Sequence, residues 1–80
     1  MAQTARRFSL MRPSPSPARA ERAELMQELA RTRLLTNQAY ASFNHARDSE
    51  LIESYVYEIS ALQARYNYLL RRVKELEELL

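Results

Sequence analysis

The sequence predicts an all-α fold: an antiparallel two-helix hairpin, coiled-coil-like in its packing, carrying a disordered N-terminal tail. Three observations predict it. From Ala18 onward the chain is dominated by Ala, Leu, Glu, Arg and Gln, all strong helix formers, and it contains no glycine. In the second half, Ile52, Tyr55, Ile59, Leu62, Tyr66, Leu69, Val73, Leu76 and Leu80 step by three and four without a miss, a heptad seam. The apolar stripe of the first half is out of phase with that seam. Phe43 and Ile52 are nine residues apart, which at about 100° per residue puts them on opposite sides of one continuous helix. One partner does not bury both sides, so the chain is expected to reverse between them.

Residues 1–17 read as a disordered, basic, Pro/Ser-rich tail. Arg12-Pro13-Ser14-Pro15-Ser16-Pro17 alternates proline, which fixes φ and removes amide donors, so the stretch predicts a stiff extended linker. Arg6-Arg7-Phe8-Ser9-Leu10 resembles a twin-arginine signal, but Arg12 and three prolines follow where an apolar region belongs. The acid-free start also resembles an organellar transit peptide, without the amphipathic cleavable helix one needs. Ser9 after two arginines matches a basophilic kinase site; a solvated tail is the plainer reading.

Residues 18–80 form the predicted hairpin domain. The first helix is expected over about 17–45, with Ser16 as cap and Pro17 at its first position, where a missing donor costs nothing. Its stripe is Leu25, Leu29, Thr32, Thr36, Ala39 and Phe43, a light seam with two threonines at its middle. The turn falls at about 46–48. His45 and Arg47 suit the negative end of the helix dipole. The second helix is expected over about 49–79, capped by Asp48 or Ser49, with Glu50 and Glu53 in its first turns. Folding back about Phe43 and Ile52 sets Ala39 near Tyr55, Thr36 near Ile59 and Thr32 near Leu62. Further out, Leu29 meets Tyr66 and Leu25 meets Leu69. Arg22 near Val73 predicts a wetter open end, where the two chain termini meet. Small residues thus face large ones, as interdigitating layers require.

Composition limits the chemistry. Eighty residues allow one domain at most. Without cysteine there is no disulfide and no thiolate metal site. Without glycine there is no glycine-rich phosphate loop. No apolar run approaches the length of a membrane span. The tail takes Arg6, Arg7 and Arg12 and no acid, so the net charge of +2 is a property of the tail. The body is mixed and nearly neutral, which weakens the case that a basic isoelectric point usually makes for nucleic acid.

The block from Leu51-Ile52 to Arg65-Tyr66-Asn67-Tyr68-Leu69-Leu70-Arg71-Arg72 resembles the YaaL-like family of short bacterial proteins. Its members share a helix, a short acidic turn before a Leu-Ile pair, and an Arg-Tyr-x-Tyr-Leu-Leu run near the end. The likeness covers about residues 21–75. It leaves out the proline-rich tail and the acidic end from Glu75 to Leu80. Relatives often carry a proline in the turn, which Ala46-Arg47-Asp48 lacks. The resemblance implies a cytoplasmic bacterial protein, in a family whose genes often neighbour a recombination-repair gene. It brings across no activity, no cofactor and no catalytic residue.

Nothing in the residues themselves reads as an enzyme. The single His45 lacks a serine–carboxylate partnership and is most simply a helix-end charge. One histidine and scattered carboxylates do not make a metal site, and no cofactor is expected. Arg22, Arg31, Arg33 and Arg65 would be the dicarboxylate clamp of a small helical mutase, but they share no helical stripe and no acid–base partner is evident. Lys74 and Glu78 sit at ion-pair spacing in an acidic end with Glu75 and Glu77, a solvated face.

Two binding functions remain. The first is association with a protein partner or with a second copy. Val56 and Leu70 flank the main seam, and Leu34 and Leu35 lie off the first stripe, so unmatched apolar surface predicts a homodimeric four-helix bundle. On the far side of the second helix, Tyr57, Ala61, Ala64 and Tyr68 form another stripe, which predicts a docking face with aromatic edges. Exposed tyrosine and alanine are also ordinary on a helix surface. The alternative is a nucleic-acid accessory role. Arg6, Arg7 and Arg12 of the tail, with Arg65, Arg71, Arg72 and Lys74 beside Tyr68, would neutralise phosphate and stack bases. Glu75, Glu77 and Glu78 immediately alongside argue against it.

Overall fold

The computed structural model describes residues 16–80. Arg6, Arg7, Ser9 and Arg12, singled out above, lie outside the described residues. Two helices make up the described chain: α1, Pro17–His45, and α2, Ser49–Leu79. They pack against each other as an antiparallel hairpin, the fold class the seam spacing predicts.

Local chemistry sets the ends of the helices. Ser16 is extended (φ −60°, ψ 157°) and its hydroxyl accepts from the Arg19 amide at 3.2 Å, while Pro17 opens α1. At the other end the Ala46 amide donates to the carbonyls of Ser42 and Phe43 at 3.0 and 3.3 Å. Asp48 rather than Ser49 caps α2: its Oδ1 accepts from the amides of Glu50 at 2.9 Å and Leu51 at 3.2 Å. The reversal over Ala46-Arg47-Asp48 needs no glycine, because no described residue has a positive φ. Ala46 (φ −72°, ψ 139°) and Asp48 (φ −79°, ψ 133°) are both extended.

The core lies in two clusters along the helix interface. Leu29, Leu69 and Val73 form one, with Leu25, Tyr66 and Leu70 packed against it. Ala39, Ile59 and Leu62 form the other, with Leu35 and Phe43 against it. Thr32, at the middle of the light seam, is 1% exposed and the most deeply buried described residue. Its hydroxyl is satisfied locally, donating to the Glu28 carbonyl at 2.7 Å, and Thr36 donates to the Thr32 carbonyl at the same distance.

The register differs from the sequence alignment by about one helical turn. Ala39 gathers with Ile59 and Leu62 instead of Tyr55, and Arg22 reaches Glu77 instead of Val73. The cause is the turn. Ala46 continues the α1 stripe and is half-buried, so the layer nearest the reversal starts at Ala46 and not at Phe43. The expectation of a wetter open end is also corrected. Val73 and Leu76 are 4% and 2% exposed, whereas Ile52 and Tyr55 near the turn are only half-buried. The Arg22–Glu77 and Arg72–Glu21 pairs, at 2.9 and 3.1 Å, span the two helices at that end, outside the apolar layers.

Candidate interaction surfaces

The hairpin leaves three exposed faces with chemistry on them. The first is the outer face of α2. Its spacing places Tyr57 about 200° from Ile59, so α1 packs on one side of the helix and this stripe emerges on the other. Tyr57 is 66% exposed and Tyr68 51%, with Ala61 and Ala64 exposed between them. Both rings are held by neighbours on their own helix. The Tyr57 hydroxyl donates to Glu53 Oε1 at 3.0 Å, four residues back. The Arg71 guanidinium lies over the Tyr68 ring, 5.7 Å from its centroid. Four sequence-predicted residues are thus brought onto one surface, flanked by an acid at one end and a base at the other.

The second face is a mixed groove between the helices that the sequence reading missed. Arg22, Met26, Ala30 and Arg33 of α1 line it with Tyr66, Leu70, Lys74 and Glu77 of α2. Arg33 donates to the Tyr66 hydroxyl at 3.0 Å and sits 5.8 Å from its ring centroid. Tyr40 accepts from Gln63 Nε2 at 3.1 Å further along. Recognising this groove requires the true register, which pairs Arg33 with Tyr66.

The third is a shallow hollow at the turn, lined by Ala41, Ser42, His45, Ala46, Leu51 and Tyr55. His45 is exposed there, at the last position of α1. The described residues contain no group of three or more His, Cys, Asp or Glu side chains arranged for a metal.

The basic residues proposed as phosphate contacts do not converge. By helical phase, Arg65 and Arg72 lie on one flank of α2, Arg71 on the outer face, and Lys74 on the opposite flank lining the mixed groove. Arg72 bridges Glu21 and Glu75 at 3.1 and 3.2 Å, and Arg71 meets Glu75 at 3.6 Å. The four arginines considered as a mutase clamp are scattered too. Arg22 and Arg33 share the groove, but Arg31 and Arg65 do not line it.

The apolar load that suggested a dimer is smaller than the sequence implies. Leu35 and Leu70 pack against the two core clusters within the hairpin. Leu34 and Val56 stay exposed.

A family model described as "Protein of unknown function (DUF2508)" matches residues 10–77. The YaaL-like resemblance is consistent with it. The match reaches further than residues 21–75: it takes in the proline-serine linker and the first half of the acidic end, through Glu77. No curated protein and no solved structure matches the chain. Neither helix is long and apolar enough to cross a membrane.

Proposed function

Taking as premise that this chain belongs to the DUF2508 family, we propose that it is a non-catalytic protein–protein interaction module of the bacterial cytoplasm, docking through the outer face of α2. The observation that supports this reading is the exposure of Tyr57 and Tyr68 on either side of Ala61 and Ala64, on a face that the hairpin core does not use. Interface cores are enriched in tyrosine, whose large rigid ring adds contact area at low entropic cost. Alanine between the rings lets a partner backbone approach.

The test separates docking from folding. Tyr57→Ala and Tyr68→Ala remove exposed rings, so each is expected to shift stability by only about 0.5 kcal/mol. Both are expected to weaken association far more than folding, read by affinity capture and by oligomeric state. Retention of every partner and of the same oligomeric state would reduce the stripe to plain surface. A nucleic-acid role has one observation in its favour, the guanidinium of Arg71 stacked on the Tyr68 ring. Base stacking at that ring would compete with the cation already there.

A further inference from the structure

We propose that the partner on this face is a second copy of the chain, docked antiparallel about a two-fold axis midway between Ala61 and Ala64. The proposal rests on the interaction reading above and names its occupant. Its basis is that the face is complementary to itself. Ser54, Tyr57, Ala61, Ala64, Tyr68 and Arg71 alternate steps of three and four, the spacing of a helix–helix seam. Between the tyrosines the pattern is palindromic: ring, methyl, methyl, ring.

A two-fold axis at its centre sets Tyr57 of one copy opposite Tyr68 of the other, and Ala61 opposite Ala64. An isologous contact demands this property, since each residue must suit the residue its symmetry mate presents. Charge follows the same symmetry with opposite sign. Glu53, bonded to Tyr57, stands at one end of the stripe, and Arg71, over Tyr68, stands at the other. Antiparallel docking brings Glu53 of one copy alongside Arg71 of its mate, twice. Parallel docking would set Glu53 beside Glu53 and Arg71 beside Arg71. Glu75, further out on the stripe, faces Glu50 of the mate, and its charge is already offset by Arg71 and Arg72 in its own chain.

The alternative faces suit a second copy less well. The mixed groove presents Arg22, Arg33 and Lys74 against a single acid, Glu77, and would repel its own image. Leu35 and Leu70 are engaged within the hairpin. Because the tyrosine stripe lies on the far side of α2 from α1, two copies form a nearly flat row of four helices. Both α2 helices lie at the centre, and the arrangement is not a closed bundle.

Sedimentation equilibrium of the full chain from low micromolar to high micromolar concentration is the test. A monomer–dimer equilibrium is expected. Tyr57→Ala or Tyr68→Ala should raise the dissociation constant by about ten-fold or more. Glu53→Arg and Arg71→Glu should each raise it roughly five- to ten-fold, and the double reversal should restore it. Helical circular dichroism of each variant confirms that the hairpin still folds. A monomer throughout the range overturns the dimer. So does a dimer indifferent to all four substitutions, or a double reversal no better than the single ones. If the chain is monomeric yet the tyrosine variants lose a captured protein, the dimer fails and the interaction reading stands.

Discussion

Thr32 puts a small hydroxyl side chain at the most deeply buried described position of the hairpin. It sits at the middle of the α1 stripe and is 1% exposed, in a position where coiled-coil seams usually carry a large aliphatic residue. Its hydroxyl donates to the Glu28 carbonyl, an oxygen that already accepts within the helix, so no buried polar atom is left unpaired. The hydroxyl therefore contributes little that a methyl would not. Thr32→Val is expected to be neutral or to stabilise by up to about 1 kcal/mol, because apolar surface replaces polar surface and no partner is orphaned. Thr32→Leu adds volume at the most deeply buried described position and is expected to cost about 1–3 kcal/mol through strain. Urea melts of the two variants beside the parent chain check both signs. A stabilised Thr32→Leu would mean that the middle of the interface holds unfilled space.

At the scale of the helices, what was legible in the sequence is what local spacing encodes. The seam from Ile52 to Leu80 fixes the buried face of α2 because helical phase depends on neighbours alone; Ile59, Leu62, Leu69, Val73 and Leu76 are all buried. The Ser16 cap is local in the same way. Register is not local. It depends on how many residues the reversal uses, and Ala46 joins the stripe where alanine gave no strong signal. A displacement of one turn hid the pairing of Arg33 with Tyr66, and with it the mixed groove, because those two residues meet only in the true register. The tyrosine stripe escaped this problem, since all its residues lie on one helix. The true register also relocates the stability. Leu69, 5% exposed, belongs to the open-end cluster with Leu29 and Val73, while Ile52 near the turn is half-buried. Leu69→Ala is expected to cost about 2–5 kcal/mol and Ile52→Ala about 1 kcal/mol. Equal losses in chemical denaturation would mean that the turn end carries as much of the core as the open end.

Over the whole molecule, charge decides between the two kinds of partner. The twelve basic residues exceed the ten acids by two, and the excess comes from Arg6, Arg7 and Arg12. In the hairpin, Arg22 meets Glu77, Arg72 meets Glu21 and Glu75, and Arg71 meets Glu75. A phosphate backbone must displace these acids before it gains those arginines, and the gain is then mostly an exchange of one anion for another. The arginines of residues 1–15 are an acid-free run of positive charge, whereas Arg19, Arg31, Arg33, Arg47, Arg65 and Lys74, which make no ion pair among the described residues, are spread over the hairpin. Each neutralised phosphate contributes a slope of about −0.9 to log affinity against log salt on duplex DNA. The three arginines of residues 1–15 thus predict a contribution of about −3 to the slope of the full chain. Removing residues 1–15 keeps the Ser16 cap of α1. The shortened chain is expected to melt as the full chain does and to lose its salt-sensitive binding to duplex DNA, measured by fluorescence anisotropy from about 20 to 200 mM salt. A slope near −6, or binding that survives the deletion, would mean that hairpin cations contact phosphate: Arg65 and Lys74, which make no ion pair among the described residues, or Arg71 and Arg72 after leaving Glu75 and Glu21. Loss of that binding in Arg71→Glu would assign it to the outer face of α2, with Tyr68 as its stacking platform.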